Sequence, residues 1–224
     1  MIMRRRAVLR TSLLLGGGAL LNAATAACGG SSSAPPNTQT TAAGASAPGS
    51  SPPQVLLAYF SRAGENYWYG GTRDIEVGNT QVVADMIASL IRVDVHRIRA
   101  ADPYPRSYRA TVERNVAEQN ADARPAIAGT APDITGYDVV LLGSGIWNVR
   151  PPMIMRTFAG SVDLAGKAIH PFVTYAVSGL GRTIEDYTAL CPDATIGRGL
   201  AVRGEEASDA RPQVERWLRE IGLR

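Results

Sequence analysis

The residues best suited to chemistry lie in segment 59–87, where an apolar run is followed by about twenty polar, aromatic and glycine residues and then by an amphipathic helix pattern. Connections from strand to helix in α/β units usually need only ~2–6 residues, which predicts that this one either holds a ligand or is disordered. It ends in Gly78-Asn79-Thr80 at the start of the helix, where unpaired backbone N–H groups and the helix dipole favour an anion. With the Ser61 hydroxyl as a further donor, the segment fits a phosphate monoester, although the tripeptide alone is also consistent with a simple capped turn.

Two further loops contain unusual residues. Segment 143–152 places Trp147 in a turn flanked by glycine and proline, where the indole either stacks on a flat ring system or packs as a rim residue on the next helix. Segment 174–182 contains Gly179 and Gly181, which either let the backbone approach a ligand closely or form a mobile linker. Both loops are therefore candidates for binding a planar ligand.

Several kinds of active site are excluded by motif or by composition. The chain has neither Gly-x-x-x-x-Gly-Lys-Ser/Thr nor Gly-x-Gly-x-x-Gly after the first strand, which excludes the P-loop and the dinucleotide turn. The only histidines are His96 and His170 and the only cysteines are Cys28 and Cys191, without metal-ligand or Ser-His-Asp spacing. We therefore predict no catalytic side chain and no metal site, with His170 packed in a strand and Cys191 buried as a small hydrophobe.

The order of apolar patterns predicts the fold. Apolar runs, as expected of strands buried on both faces, occupy 55–60, 139–143 and 168–175, with a weaker, edge-like run at 93–98 and a fifth run at 197–202. Helical patterns follow these runs, and five alternations of strand and helix predict an α/β protein with a doubly wound parallel sheet. The ligand site of such a sheet lies beyond the carboxyl ends of its strands, so the three loops are expected to converge there.

The helical patterns also assign individual positions. Thr80 is placed to cap the first helix, and Pro151-Pro152 opens the third. Residues 183–190 form the fourth helix, and the fifth ends at Gly222. The apolar face of the second helix is predicted to contain Tyr108, Val112, Val116 and Ala117.

The quoted segments resemble a known family. In order, YFSRAGENYW, VGNTQVVADMI, VVLLGSGIWNVRPP, PFVTYAVSGLG and VERWLREIGL resemble the flavodoxin-like family, in the branch with an enlarged first loop, over residues 54–224. This resemblance implies a flavodoxin-like five-stranded parallel sheet with strand order 2-1-3-4-5 and one non-covalently bound FMN.

The resemblance also implies roles for individual residues. The phosphate would be held by Ser61, Arg62, Ala63, Asn79 and Thr80. One side of the isoalloxazine would be held by Gly145, Ile146, Trp147 and Asn148, and its pyrimidine edge by Ser178, Gly179 and Gly181. Gly145 is the candidate for a peptide that turns its carbonyl toward flavin N5, and Tyr67, Trp68 or Tyr69 is expected to cover the ring.

The ring-binding loops depart from the family pattern. The branch usually reads Gly-Tyr-Pro-Ile-Trp-Trp-Gly at 143–149, so a second aromatic residue and a glycine are missing here. Ala176-Val177 replaces the two leading glycines of the third loop. We therefore expect intact phosphate contacts and altered ring contacts, with the flavin bound more weakly or at a shifted potential.

The first residues have the layout of an export signal. Residues 1–27 combine a basic start with an apolar stretch, and Arg5-Arg6 resembles the twin-arginine signal, with an ordinary secretory signal as the alternative. Cys28 lies in a sequence that resembles a lipoprotein cleavage box, with plain cleavage as the alternative, and residues 28–53 form an uncharged Gly/Ser/Pro/Ala linker to a domain at 54–224. The expected location is the extracytoplasmic side of a bacterial envelope.

The net charge of the mature chain and the predicted fold limit the classes of function to be considered. Four of the 23 basic residues and none of the 20 acidic ones precede Cys28, so the mature chain has a net charge near −1 and no indication of nucleic-acid binding. We predict electron transfer at the envelope with a redox partner protein or a small-molecule electron acceptor, and membrane contact through the lipid anchor only. The alternatives are an NAD(P)H-dependent FMN reductase of quinones or similar acceptors, and a non-redox binding module with weak or lost flavin.

Overall fold

The computed structural model describes residues 52–224, so the predicted export signal, Cys28 and most of the linker lie outside the described residues. The strands are β1 (Val55–Phe60), β2 (Gly64–Trp68), β3 (Gly71–Ile75), β4 (Asp94–Ile98), β5 (Val139–Gly145), β6 (Ala168–Tyr175), β7 (Thr195–Ile196) and β8 (Leu200–Arg203). The helices are α1 (Asn79–Leu90), α2 (Tyr108–Asn120), α3 (Met153–Ser161), α4 (Thr183–Leu190) and α5 (Arg211–Glu220), with a 3₁₀ helix at Gly204–Asp209. None of the helices in this part of the chain has the length and apolar character needed to cross a membrane.

The main sheet is parallel and has the order β4-β1-β5-β6, with β7 and β8 both pairing with the outer edge of β6. The predicted order 2-1-3-4-5 is confirmed, with the fifth strand present in two pieces. Every residue of β1 is buried, because both faces of this strand are covered. Leu57 on one face joins a core with Val83 of α1 and Trp217 of α5, whereas Leu56 on the other face joins a core with Phe158 of α3.

The fifth strand was predicted as one run at 197–202, and that prediction is wrong. The carbonyl of Arg198 instead leaves the ladder, accepts a hydrogen bond from Trp217 Nε1 at 3.0 Å and lies 3.3 Å from His170 Nδ1. A Cβ at Gly197 would collide with the imidazole of His170, so glycine is needed where the strand is interrupted. Packing of two aromatic side chains therefore divides the strand into β7 and β8.

The long connection after β1 is ordered as an antiparallel hairpin, which the sequence analysis did not predict. Strands β2 and β3 pair from Gly64↔Ile75 to Trp68↔Gly71 and form a separate two-stranded sheet. The hairpin turns at Tyr69 and Gly70, whose φ angles are 44° and 91°. Turns with positive φ at both central residues match the twist of a hairpin, and glycine at the second of them adopts this conformation without strain.

A second turn of this kind follows β5. Trp147 and Arg150 exchange backbone hydrogen bonds of 2.8 and 3.3 Å, with Asn148 at φ 49° and Val149 at φ 60° between them. Asparagine tolerates this region, but a β-branched residue there is strained. The turn is held from outside by the backbone N–H of Arg182, which donates to the Val149 carbonyl at 2.8 Å.

Replacing Val149 with glycine is expected to stabilise the fold. Relief of the left-handed strain contributes ~1–2 kcal/mol, and the extra backbone entropy of glycine in the unfolded chain removes ~0.5–1 kcal/mol of that gain. We expect Val149→Gly to raise the free energy of unfolding, measured by urea denaturation, by roughly 0.5–1 kcal/mol. The matched control is Val177→Gly, since Val177 is also an exposed loop valine but does not have positive φ. If Val149→Gly changed the free energy of unfolding in the same way as Val177→Gly, backbone strain at Val149 would be contradicted.

Candidate functional site

A cleft lies at the carboxyl ends of β1, β5 and β6, the edge where doubly wound parallel sheets bind their ligands. The structure brings the three loops of the sequence analysis together around it. The hairpin, α2 and the 3₁₀ helix complete its walls. Besides the residues discussed below, the lining includes Phe60, Tyr108, Val112 and Gly204.

One end of the cleft is built by the start of α1. Gly78, not Thr80, occupies the N-cap position, so the predicted capping role of Thr80 is wrong. The Ser61 hydroxyl instead accepts the backbone N–H of Gln81 at 3.1 Å, and a Cβ at Gly78 would collide with that hydroxyl. Among residues 52–224, the backbone N–H groups of Asn79 and Thr80 have no hydrogen-bond acceptor. This end of the cleft therefore presents two free amides at a helix N-terminus, where an anion is stabilised.

Thr80 has a different role from capping. It is 3% exposed, lines the cleft, and its Oγ1 lies 2.7 Å from Oγ1 of Thr174 at the end of β6. This buried hydroxyl pair joins the first turn of α1 to the third loop. The distance between two of the three predicted binding segments is thus fixed by one hydrogen bond.

Arg62 lines the cleft, but its guanidinium is largely committed to the protein. Nη1 donates to the carbonyls of Ala63, Pro105 and Arg106 at 3.0–3.1 Å, and Nη2 donates to the Glu65 carbonyl. Burial lowers the pKa of Arg62, and the nearby Glu65 carboxylate partly opposes that shift. Nε is buried without a partner in the described part of the chain. Arg62 thus contributes positive charge to the wall of the cleft, whereas Ala63 lies outside the lining.

The cleft lining includes the aromatic residues Tyr67 and Trp147, here called the aromatic wall, besides Phe60, Tyr108 and Tyr175. The Trp147 indole is held edge-on by two rings, with centroid distances of 5.7 Å to Phe60 and 5.0 Å to Tyr104. Of the three hairpin aromatics, only Tyr67 lines the cleft. Trp68 packs elsewhere, under the Arg73 guanidinium at 4.6 Å from the ring centroid.

The second loop lines the cleft along residues 145–148. Gly145 is the last residue of β5, and the Ile146 backbone N–H donates to the Thr174 carbonyl at 2.9 Å. Asn148 Nδ2 donates to Gln119 Oε1 at 2.8 Å, and Gln119 Nε2 donates to the Trp147 carbonyl at 3.0 Å. Gln119 of α2 therefore fixes the turn that carries the indole.

Helix α2 was predicted to bury an apolar face, and that prediction is wrong. Val112 and Val116 are 42% and 38% exposed, whereas Thr111 and Asn115 are buried at 4% and 2% exposure and line the cleft. The buried face is polar because it adjoins the cleft. The polar residues at 111, 115 and 119 follow helical spacing, and this was the signal in the sequence that could have identified them.

The residues of the third loop that line the cleft lie earlier in the chain than the predicted ones. Thr174, Tyr175 and Ala176 line the cleft, whereas Ser178, Gly179 and Gly181 lie outside the lining. Gly181 instead allows close contact with the Val149 carbonyl, with which a Cβ would collide. Gly181 and Arg182 therefore hold Val149 of the second loop from outside the cleft.

Glu205 of the 3₁₀ helix is a cleft residue that the sequence analysis missed. It is 8% exposed, and its Oε1 accepts the backbone N–H of Tyr69 at 3.0 Å. Among the described residues that line the cleft, it is the one with a carboxylate. No pattern in the sequence marks it, because its position depends on a contact over 136 residues of chain.

Comparison with known proteins agrees with this architecture. A family model described as flavodoxin matches residues 74–221. No curated protein matches the sequence. Among solved structures, a candidate flavoprotein from Bacteroides eggerthii DSM 20697 is 26% identical with a TM-score of 0.61, and covers 77% of this chain and 99% of its own. One from Bacteroides uniformis ATCC 8492 is 24% identical with a TM-score of 0.62, and covers 75% of this chain and 99% of its own.

A third solved structure was determined with a ligand. It is a flavoprotein from Lactobacillus acidophilus NCFM in complex with FMN, 16% identical with a TM-score of 0.51, and it covers 70% of this chain and 97% of its own. The likeness at this identity concerns the fold. The family match, in contrast, extends over about two thirds of the chain and includes α1 and the second and third loops. The chain belongs to the flavodoxin family.

Proposed function

We propose that the cleft binds one FMN non-covalently and that the protein transfers electrons through it. FMN, the cofactor predicted from the resemblance, is the cofactor of the family to which the chain belongs. The observation that carries the proposal is the combination, in one cleft, of two free amides at the start of α1 with the aromatic wall of Tyr67 and Trp147. One end of the cleft thus suits a phosphate and the other a planar ring.

The residues at the end of the cleft next to the start of α1 fit a phosphate group. The amides of Asn79 and Thr80 would donate to its oxygens, and the charge of Arg62 lies in the same wall. Since the guanidinium is used by four carbonyls, its contribution to phosphate binding would be electrostatic rather than a direct fork of hydrogen bonds. The phosphate would therefore be bound by the backbone amides of Asn79 and Thr80, and the positive charge of Arg62 would add electrostatic attraction.

The residues at the other end fit an isoalloxazine. Tyr67 and Trp147 provide apolar surface, while the Asn115 and Asn148 amides and the backbone of Ala176 provide polar groups around it. The solved complex of the Lactobacillus acidophilus flavoprotein supports this use of the shared fold. Bound FMN supplies one- or two-electron chemistry, and the protein contributes binding, orientation and exclusion of water.

Electron transfer is favoured by the family match, since the redox chemistry of a flavin needs no histidine or cysteine in the cleft. Its lining within residues 52–224 contains no histidine or cysteine, and His96 and His170 lie in strands away from it. Burial lowers the pKa of both imidazoles, which favours their neutral forms. A redox partner protein or a small-molecule electron acceptor is the proposed recipient of the electrons.

A negative charge placed at the phosphate-binding end is expected to weaken the binding of FMN much more than that of riboflavin. Asn79→Asp keeps the side-chain shape and suits a helix start, but its carboxylate would repel the phosphate. We expect at least a tenfold loss of FMN affinity, about 1.4 kcal/mol or more, and less than about a threefold change for riboflavin, both measured by flavin fluorescence quenching. The matched control is Asn120→Asp at the exposed end of α2, which should bind both ligands as the unaltered protein does. Equal losses for both flavins would contradict the phosphate site.

Reduction kinetics distinguish a carrier from a reductase. As an electron carrier, the FMN-loaded protein is expected to keep its oxidised flavin spectrum on anaerobic mixing with NADPH, and to be reduced by dithionite. Absorbance near the flavin maximum is the measurement. Prompt bleaching by NADPH would contradict the carrier and favour the reductase of quinones or similar acceptors.

The proposed location is the extracytoplasmic side of the envelope, with the domain tethered through Cys28. Support comes from the basic and apolar segments of residues 1–27 and from the uncharged Gly/Ser/Pro/Ala composition of residues 28–53, which suits a linker. Tethering would raise the local concentration of the carrier near membrane-bound redox partners.

Acylation of Cys28 is directly measurable. Expressed in a bacterial host with labelled palmitate, the protein is expected to incorporate label and to fractionate with membranes. The Cys28→Ala variant should do neither, because the acylated thiol is removed. Labelling of Cys28→Ala equal to that of the unaltered protein, or a soluble unlabelled product from the unaltered gene, would contradict the anchor.

A further inference from the structure

We propose that Glu205 is a positioning residue that holds the tip of the β2–β3 hairpin over the cleft and thereby slows the release of bound FMN. The proposal rests on the proposed function, because it concerns how the same cleft retains its cofactor. It goes beyond that function by assigning a role to the Glu205 carboxylate, whose Oε1 accepts the backbone N–H of Tyr69.

The base of the hairpin is held on the α2 side of the cleft. The backbone N–H of Glu65 donates to the Arg106 carbonyl at 2.8 Å, and Oε2 of Glu65 accepts the backbone N–H of Tyr108 at 3.0 Å. Arg106 also pairs with Asp74 of β3 at 2.6 Å. These contacts, together with the carbonyls bound by Arg62, fix both strands of the hairpin at one end.

The tip of the hairpin reaches the opposite side of the cleft. There, the N–H of Tyr69 donates to Glu205 Oε1 at 3.0 Å, and this is the polar contact between the turn and the 3₁₀ helix in the described structure. The Tyr69 side chain is 63% exposed, so packing of its ring does little to hold the tip. A two-stranded hairpin on its own is marginally stable in water, which makes the contact at Glu205 decisive for the position of the tip.

The cleft-lining residues of the hairpin lie between these two attachments. Asn66 and Tyr67 line the cleft, whereas the turn that follows them is bound by Glu205. Release of the tip would therefore move Tyr67 away from the ring-binding end without disturbing the base. The carboxylate controls the covering wall of the cleft through the backbone of Tyr69.

The burial of Glu205 and its lack of an ion-pair partner in the described part of the chain agree with a role in holding the hairpin tip. The residue is 8% exposed, and its carboxylate forms no ion pair within residues 52–224. A buried carboxylate without a compensating charge is costly, and hydrogen bonds to a charged acceptor are stronger than neutral ones. Its neighbour Glu206 shows the contrasting surface arrangement, exposed and 3.8 Å from Arg203.

The test compares four variants of the FMN-loaded protein. Glu205→Ala removes the acceptor, and Glu205→Asp keeps the charge but shortens its reach. We expect both to release FMN about tenfold faster in stopped-flow fluorescence, as for the loss of one hydrogen bond to a charged group, with little change in association rate. Glu205→Gln retains a carbonyl oxygen and should stay within about threefold of the unaltered rate. Glu206→Ala is the matched control and should release FMN at the unaltered rate.

Hydrogen exchange of the Tyr69 amide gives a second readout that does not need FMN. Exchange is expected to be about tenfold faster in Glu205→Ala and Glu205→Asp than in the unaltered protein or Glu206→Ala, because the N–H loses its acceptor. Unaltered release and exchange rates in both variants would overturn the proposal while leaving FMN binding intact. If the unaltered protein bound no FMN, the proposed function would fail, and this proposal about FMN release would fail with it, whatever the exchange rates.

Discussion

The close approach of the loop after β1 to the first turn of α1 is the constraint on which the cleft depends. Ser61 reaches the backbone N–H of Gln81 only because Gly78 has no side chain in its way. The Gln81 N–H also donates to the Gly78 carbonyl at 2.9 Å, whereas the N–H groups of Asn79 and Thr80 have no acceptor among the described residues. The proposed phosphate-binding end of the cleft therefore depends on how α1 begins, with the charge of Arg62 in the same wall.

The other walls of the cleft are attached to this end by specific polar contacts. The Thr80–Thr174 hydroxyl pair connects it to the third loop, and Gln119 of α2 holds the turn that carries Trp147. Arg62 organises the base of the hairpin by binding carbonyls from both sides of it. Side chains that resemble ligand-binding groups in the sequence are thus partly used to position the backbone that forms the cleft.

The fold was predictable where apolar burial determines it. The runs at β1, β5 and β6 are buried on both faces, and the pattern at 183–190 gave the bounds of α4 as observed. The hairpin was not predictable, because GENYW and GTRDI lack apolar alternation and are stabilised by distant partners such as Arg106.

Part of the candidate site was predictable from the order of the strands. Ser61, Asn79, Thr80 and Trp147 line the cleft because loops after adjacent parallel strands must meet at one edge. Asn115 and Glu205 were missed because their burial follows from the cleft itself and not from a core pattern. In the third loop Thr174, Tyr175 and Ala176 line the cleft, whereas Gly181, which was assigned to the flavin, lies against Val149.

The most direct test of the central claim is the NMR response of the backbone amides when the protein is titrated with FMN and, separately, with riboflavin. The account predicts that the Asn79 and Thr80 amides shift strongly downfield with FMN and much less with riboflavin, because only FMN brings a phosphate to the start of α1. Unchanged Asn79 and Thr80 resonances at saturation with FMN, with the largest shifts elsewhere in the domain, would contradict it.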